Sequence, residues 1–183
     1  MRNTTKKFLE KGFWIVIIIF IILYLITKPK LLYDYYGCIG EAIGITLMLM
    51  GIYEHLLWQY NPLEKIPKIK GDYSGYIEYS YNGTHDKKEA TIKISQSLLS
   101  TSIKIITDEI TSNTIVSNII FENGEYVLYY TYITNPKSKY SKDNPVQYGT
   151  CRLVCDDELE LKGTYWTTRQ TIGDIYLIRC KEK

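Results

Sequence analysis

Three of the chain's four arginines, Arg152, Arg169 and Arg179, fall close to its C-terminal end, whereas lysine occurs eighteen times. A planar guanidinium grips phosphate through two parallel hydrogen bonds, which an ammonium cannot do. Arg169 lies in Gly163-Thr164-Tyr165-Trp166-Thr167-Thr168-Arg169-Gln170-Thr171-Ile172-Gly173. Rings in such a segment can stack on a nucleobase while the guanidinium and the threonine hydroxyls hold a phosphate. Tyr165, Trp166, Thr168, Arg169 and Thr171 are therefore candidate binding residues, with Arg152 as a second cation. The plain alternative is an exposed arginine on a hairpin. Tyrosine is abundant, at eighteen residues against two alanines. Tyr73, Tyr79 and their neighbours can line a cavity that is apolar yet offers hydroxyls, although cross-strand packing alone also explains such a stripe.

No catalytic set accompanies these residues. His55 and His85 are far apart, and Cys38, Cys151, Cys155 and Cys180 form no CxxC pair. The Asp156-Asp157-Glu158 run reads as a solvated turn. A Walker loop, an HExxH helix and a GxSxG elbow are all missing from the sequence. The expectation is a protein that is not an enzyme, with no catalytic residues, no metal ligands and no cofactor. Unpaired thiols fit a reducing compartment.

The elements that must position the candidates are short and β-rich. Strands are expected near 73–81, 89–96, 100–107, 114–122, 126–134, 146–155, 158–166 and 173–180, with Asn82-Gly83 and Asn123-Gly124 as hairpin signals. A polar connection runs from Asn135 to Pro145. Tyr73, Gly75, Ile77, Tyr79 and Tyr81 share one face of the first strand, and Ala90, Ile92 and Ile94 one face of the second. Eight strands joined mostly by tight turns predict an antiparallel meander, and closure into a lipocalin-like barrel removes its edges. Such a barrel is filled by side chains or holds one small ligand.

The first part of the chain has a different texture. Gly12 to Thr27 carries no charge, and Tyr35 to Tyr53 carries only Glu41. With no small-residue cleavage site after the first run, the two segments read as uncleaved transmembrane helices. Gly40 and Gly44 form a GxxxG pair that permits close helix approach. Glu41 beside it is an ionisable group in an apolar segment, hence a functional candidate for membrane association. Basic residues flank the outer ends: Arg2, Lys6, Lys7 and Lys11 before, Lys65, Lys68 and Lys70 after, with only Lys28 and Lys30 in the turn. The positive-inside rule then predicts a two-pass protein of the cell inner membrane with its N-terminus and barrel in the cytoplasm. The division expected is 1–60 for the helices, 61–70 for a linker and 71–183 for the barrel. Residues 1–70 hold nine Lys/Arg against five Asp/Glu, a balance of +4, and residues 71–183 hold thirteen against fifteen, a balance of −2. A slightly acidic barrel argues against binding polymeric nucleic acid, which needs many cationic phosphate contacts.

Two membrane helices followed by a Tyr- and Thr-rich barrel resemble the two-transmembrane β-barrel effectors of CBASS, the antiphage system built on cyclic-oligonucleotide signalling by CD-NTase enzymes. Gly71-Asp72-Tyr73-Ser74-Gly75 and Gly163-x-Tyr165…Arg169-x-Thr171-x-Gly173 carry the likeness. The resemblance implies a barrel that receives a cyclic dinucleotide, expected to be 3′,3′-linked. It further implies ligand-driven homo-oligomerisation and disruption of the lipid bilayer that kills the infected cell, an abortive infection. Two other readings stay open: a membrane-anchored lipocalin-like carrier of an apolar ligand, and a structural subunit of an envelope complex.

Overall fold

The computed structural model describes residues 2–81, 83–142 and 144–180; Asn82 of the first hairpin signal and the side chains of Arg2, Asn3 and Tyr81 lie outside the described residues. The chain divides into two compact units, Met1–Glu64 with Ser97–Leu99, and Lys65–Gln96 with Ser100–Lys183.

The first unit is a helical hairpin of α1 (Arg2–Thr27) and α2 (Leu32–Ile52), the latter continued by a π turn (Tyr53–Leu57) and a 3-10 turn (Trp58–Tyr60). Pro29 follows the end of α1, where Lys28 adopts a positive φ of 49°. The carboxylate of Asp34 then caps α2 by accepting hydrogen bonds from the amides of Lys30 (3.2 Å) and Leu31 (3.0 Å). The apolar spans are Thr4–Thr27 and Leu32–Tyr60, both long enough to cross a membrane. The first is longer than the uncharged run 12–27, because the helix continues back through the basic arm, whose lysines can reach an interface along their stems.

Small residues set the packing inside this hairpin. Cys38, Ala42 and Thr46 recur every four residues and form the buried stripe of α2. Gly12 of α1 is filled by Met50, since a Cβ there would collide with its sulfur. Gly37, Gly40 and Gly44 lie on the opposite side of α2, with no atom of the described residues within 4 Å of the place of a Cβ. Glu41 is exposed beside them. The antiparallel contacts Gly12–Met50 and Tyr24–Tyr35 put Glu41 level with the middle of the uncharged run of α1. At the other end Lys11 Nζ lies 3.1 Å from Glu64 Oε1, which also accepts from the Tyr53 hydroxyl (2.9 Å).

The second unit is a closed antiparallel barrel, β1 to β8 in sequence order with β1 paired to β8. The strands are β1 (Gly71–Tyr81), β2 (Thr84–Gln96), β3 (Thr101–Ile106), β4 (Ile110–Glu122), β5 (Glu125–Pro136), β6 (Gln147–Val154), β7 (Glu160–Thr167) and β8 (Ile172–Arg179). Asn123 (φ 51°) and Gly124 (φ 93°) make the tight β4–β5 turn, the conformation for which Asn-Gly is suited. The inward alternation expected for β1 and β2 is present: Tyr73, Ile92 and Ile94 are buried in the core with Ile103, Leu128, Leu153, Leu161 and Leu177.

One end of the barrel is shut by residues 65–70. Ile69 is fully buried, its amide donating to Gln96 Oε1 (2.9 Å), while Gln96 Nε2 donates to the Pro67 carbonyl (2.8 Å). The Lys68 amide donates to Glu158 Oε1 (2.7 Å), and the Arg179 guanidinium reaches the carbonyls of Lys68 and Lys70. Of the expected linker 61–70, residues 65–70 are thus the floor of the barrel unit, because their backbone groups find partners on Gln96, Glu158 and Arg179.

Candidate functional site

Above that floor the barrel encloses a cavity of about 390 Å³, within the range of small-molecule sites. Its apolar lining is aliphatic, with Ile77, Ile105, Ile110 and Ile175, and its polar groups come mostly from hydroxyls. Two glycines make room for the largest of these. A Cβ on Gly149 would strike the ring of Tyr132, and one on Gly173 the ring of Tyr165 and the Glu78 carbonyl. Burial pushes the hydroxyls of Tyr132 and Tyr165 well above the ordinary tyrosine range, so both remain neutral donors and acceptors.

Of the eight candidate binding residues, the structure brings Tyr79, Tyr165, Arg169 and Thr171 together on this cavity. The β7–β8 turn places the last two. Thr167 N donates to the Thr171 carbonyl (3.0 Å), Gln170 N to the Thr167 carbonyl (3.0 Å), and Gln170 takes a positive φ of 62°. Thr168 is exposed on that turn and works as its stitch to β6, its amide donating to the Tyr148 carbonyl (2.8 Å).

The other three lie elsewhere. Trp166 is on the outer face of β7, 46% exposed and opposite Ile172. Arg152 is on the outer face of β6, between the inward Cys151 and Leu153. Its Nε donates to the Tyr129 hydroxyl (3.2 Å) and its terminal nitrogen to Glu122 (3.0 Å). Tyr73 points inward but at the shut end, its hydroxyl 2.9 Å from the Glu158 carbonyl and 3.1 Å from that of Ile69. Burial raises its pKa to about 12. The period-2 rule separates inner from outer positions, and Arg152 and Trp166 fall on the wrong parity for the cavity.

Further cavity residues escaped the sequence reading. Lys88 occupies the inward parity of β2 above Ala90 and Ile92, and its ammonium lies 2.6 Å from a carboxylate oxygen of Glu109 on the β3–β4 turn. Burial opposes the lysine's charge, but hydrogen bonds to Glu109 and Tyr79 outweigh it and hold its pKa above the ordinary value. Tyr79 in turn donates to Asp86 (2.8 Å). The alternation of β2 was the available signal for Lys88. Gln147 and Thr167 also line the cavity, and the buried Gln147 Oε1 and Thr167 Oγ1 have no hydrogen-bond partner among the described residues. A buried polar atom left without a hydrogen bond is costly, so these two atoms point to a ligand that supplies polar groups.

Two cations, unpartnered polar atoms, neutral phenols and aliphatic walls thus share one cavity, which suits a compact anion with flat polar rings. Residues 64–179 match the family described as "Cap15, cyclic dinucleotide receptor domain". The chain belongs to that family. It is also 36% identical over 184 residues to "CD-NTase-associated protein 15" of Staphylococcus schleiferi, covering 99% of this chain and 100% of that protein. The Cap15 match spans all eight strands, and the cavity lies wholly within it.

Proposed function

We propose that this Cap15 chain is an antiphage defence effector, and not an enzyme, whose barrel cavity binds a cyclic dinucleotide second messenger. The observation that carries the reading is the cavity itself: Arg169 and Lys88 offer cations to phosphate, and the buried Gln147 Oε1 and Thr167 Oγ1 await polar groups of a base. A barrel balance of −2 is compatible with this, since two phosphates on a small ring need few, well-placed donors. A 3′,3′-linked ring is the first ligand to titrate.

The same reading assigns the helices a membrane role. The hairpin lies in the inner membrane with both ends and the barrel in the cytoplasm, as the basic flanks support. Ligand binding gathers copies, and the open Gly37/Gly40/Gly44 side of α2 with Glu41 beside it becomes the surface along which hairpins pack. A carboxyl group midway along an apolar helix is poorly tolerated against lipid tails and favours protein or water around it. Dense clusters of such hairpins then breach the bilayer and kill the infected cell.

The test is calorimetry on the full chain in detergent with cyclic dinucleotides of both linkages, mononucleotides and fatty acids. Saturable binding of a cyclic dinucleotide alone supports the reading; binding of a fatty acid alone replaces it with apolar-ligand carriage.

A further inference from the structure

We propose that Glu109 is a built-in competing anion: its carboxylate occupies Lys88 in the empty cavity, and a ligand phosphate must displace it, so that Glu109 sets the ligand level at which the receptor fills. This rests on the cyclic-dinucleotide reading of the same cavity.

Lys88 is an inward-facing charge in a strand whose other inward residues, Ala90, Ile92 and Ile94, are apolar. A charge placed there requires a partner. Its partner comes from a turn and not from another wall strand. Glu109 lies between β3 and β4, and the turn is held by its backbone, with the Lys137 amide donating to the Glu109 carbonyl (2.9 Å) and the Thr107 amide to the Ile110 carbonyl (2.9 Å). The carboxylate can therefore leave Lys88 without undoing the turn. Its side chain is 28% exposed and that of Lys88 33%, so water is at hand to receive the released carboxylate.

The geometry sets the two anions in competition. At 2.6 Å the carboxylate is in direct contact with the ammonium, whose nitrogen also lies 5.4 Å from the centroid of the Tyr79 ring. A phosphate that approaches Lys88 while Glu109 stays in place meets a like charge at contact range. Exchange removes the repulsion but forfeits the pair. Every ligand that uses Lys88 therefore binds more weakly than it would in a cavity without Glu109. A ligand with two phosphates and two bases has enough other contacts to offset that loss; a mononucleotide has fewer. In a protein whose occupied state is lethal, that penalty keeps abundant cellular nucleotides from filling the site.

The experiment compares wild type, Glu109→Gln, Lys88→Met and the double variant, as full chains in detergent, by calorimetry with cyclic di-GMP, cyclic di-AMP, both linkages of cyclic GMP–AMP, and GMP. For the ring that binds wild type, Glu109→Gln is expected to tighten binding about threefold to tenfold, and to strengthen GMP binding as well. Lys88→Met should weaken the ring about tenfold or more, and the double variant should match Lys88→Met, because no cation remains to compete for. Glu109→Ser repeats the measurement should the glutamine variant fail to fold. Unchanged or weaker binding by Glu109→Gln, with wild type binding normally, overturns this proposal and leaves the receptor reading standing. So does tightening that persists when Lys88 is absent. Failure of wild type to bind any of the rings overturns both.

Discussion

Replacing Arg169 by alanine isolates the charge that the cavity offers from the β7–β8 turn. The turn is held by main-chain bonds, Thr167 to Thr171 (3.0 Å), Gln170 to Thr167 (3.0 Å) and Thr168 to Tyr148 (2.8 Å), none of which uses the Arg169 side chain. Those main-chain bonds survive truncation, so the turn is expected to keep its course, and the change in affinity is read on variants shown to fold. A hydrogen bond between a guanidinium and a phosphate contributes about 1.5–3 kcal/mol, or roughly ten- to a hundredfold in affinity. Arg169→Lys keeps the charge but loses the planar fork, so it should recover only part of that loss. Calorimetry with the cognate cyclic dinucleotide gives the dissociation constants, and a thermal melt confirms that both variants fold. Affinity within about twofold of wild type in a folded Arg169→Ala protein would remove Arg169 from the site and the phosphate argument with it.

Tyr73→Phe deletes a hydroxyl that serves the carbonyls at the barrel floor, so it should lower stability by about 1 kcal/mol in a denaturant titration while ligand affinity stays unchanged. A large affinity loss instead would return Tyr73 to the binding residues. Gly40→Leu with Gly44→Leu fills a side of α2 where no described atom lies within 4 Å of the added Cβ positions. Ligand binding should persist, and ligand-triggered leakage from proteoliposomes should disappear; retained leakage would exclude that side as the packing surface. Burial raises the thiols of Cys151 and Cys155 to about 12, so near pH 8 almost none is thiolate, whereas Cys180 is exposed. Alkylation followed by mass spectrometry should label Cys180 in native protein and the other two only after unfolding.

Much of the architecture was legible because it rests on local rules. The uncharged run 12–27 and the near-uncharged run 35–53 need no partner to be recognised as helices for an apolar medium. The eight strands follow from alternation and from turns such as Asn123-Gly124, whose positive φ values are a property of those residue types. The same alternation, followed strand by strand, also sorts the arginines. Arg152 lies between Cys151 and Leu153, which are both fully buried, so its outward direction was already implied by its neighbours, as was the inward direction of Lys88 above Ala90. Those assignments were available from sequence and were outweighed by residue chemistry, which marks arginine and tryptophan as binding types wherever they point.

What the sequence by itself determined is therefore the list of elements and the face on which each side chain sits, because both depend on spacing within one segment. Which end of the barrel is open was decided only in three dimensions. Tyr73 and Tyr79 share a strand and a face, yet one supports the floor and the other lines the cavity. The difference comes from residues 65–70, whose backbone amides pair with Gln96 and Glu158, the latter 90 residues from Lys68. The pairing of Lys88 with Glu109 likewise joins a wall strand to a turn, through the β2–β3 register in which Thr91 faces Ile106. Contacts of that kind belong to no segment. They exist only once strand register and barrel closure have fixed which distant side chains share a small, poorly solvated volume.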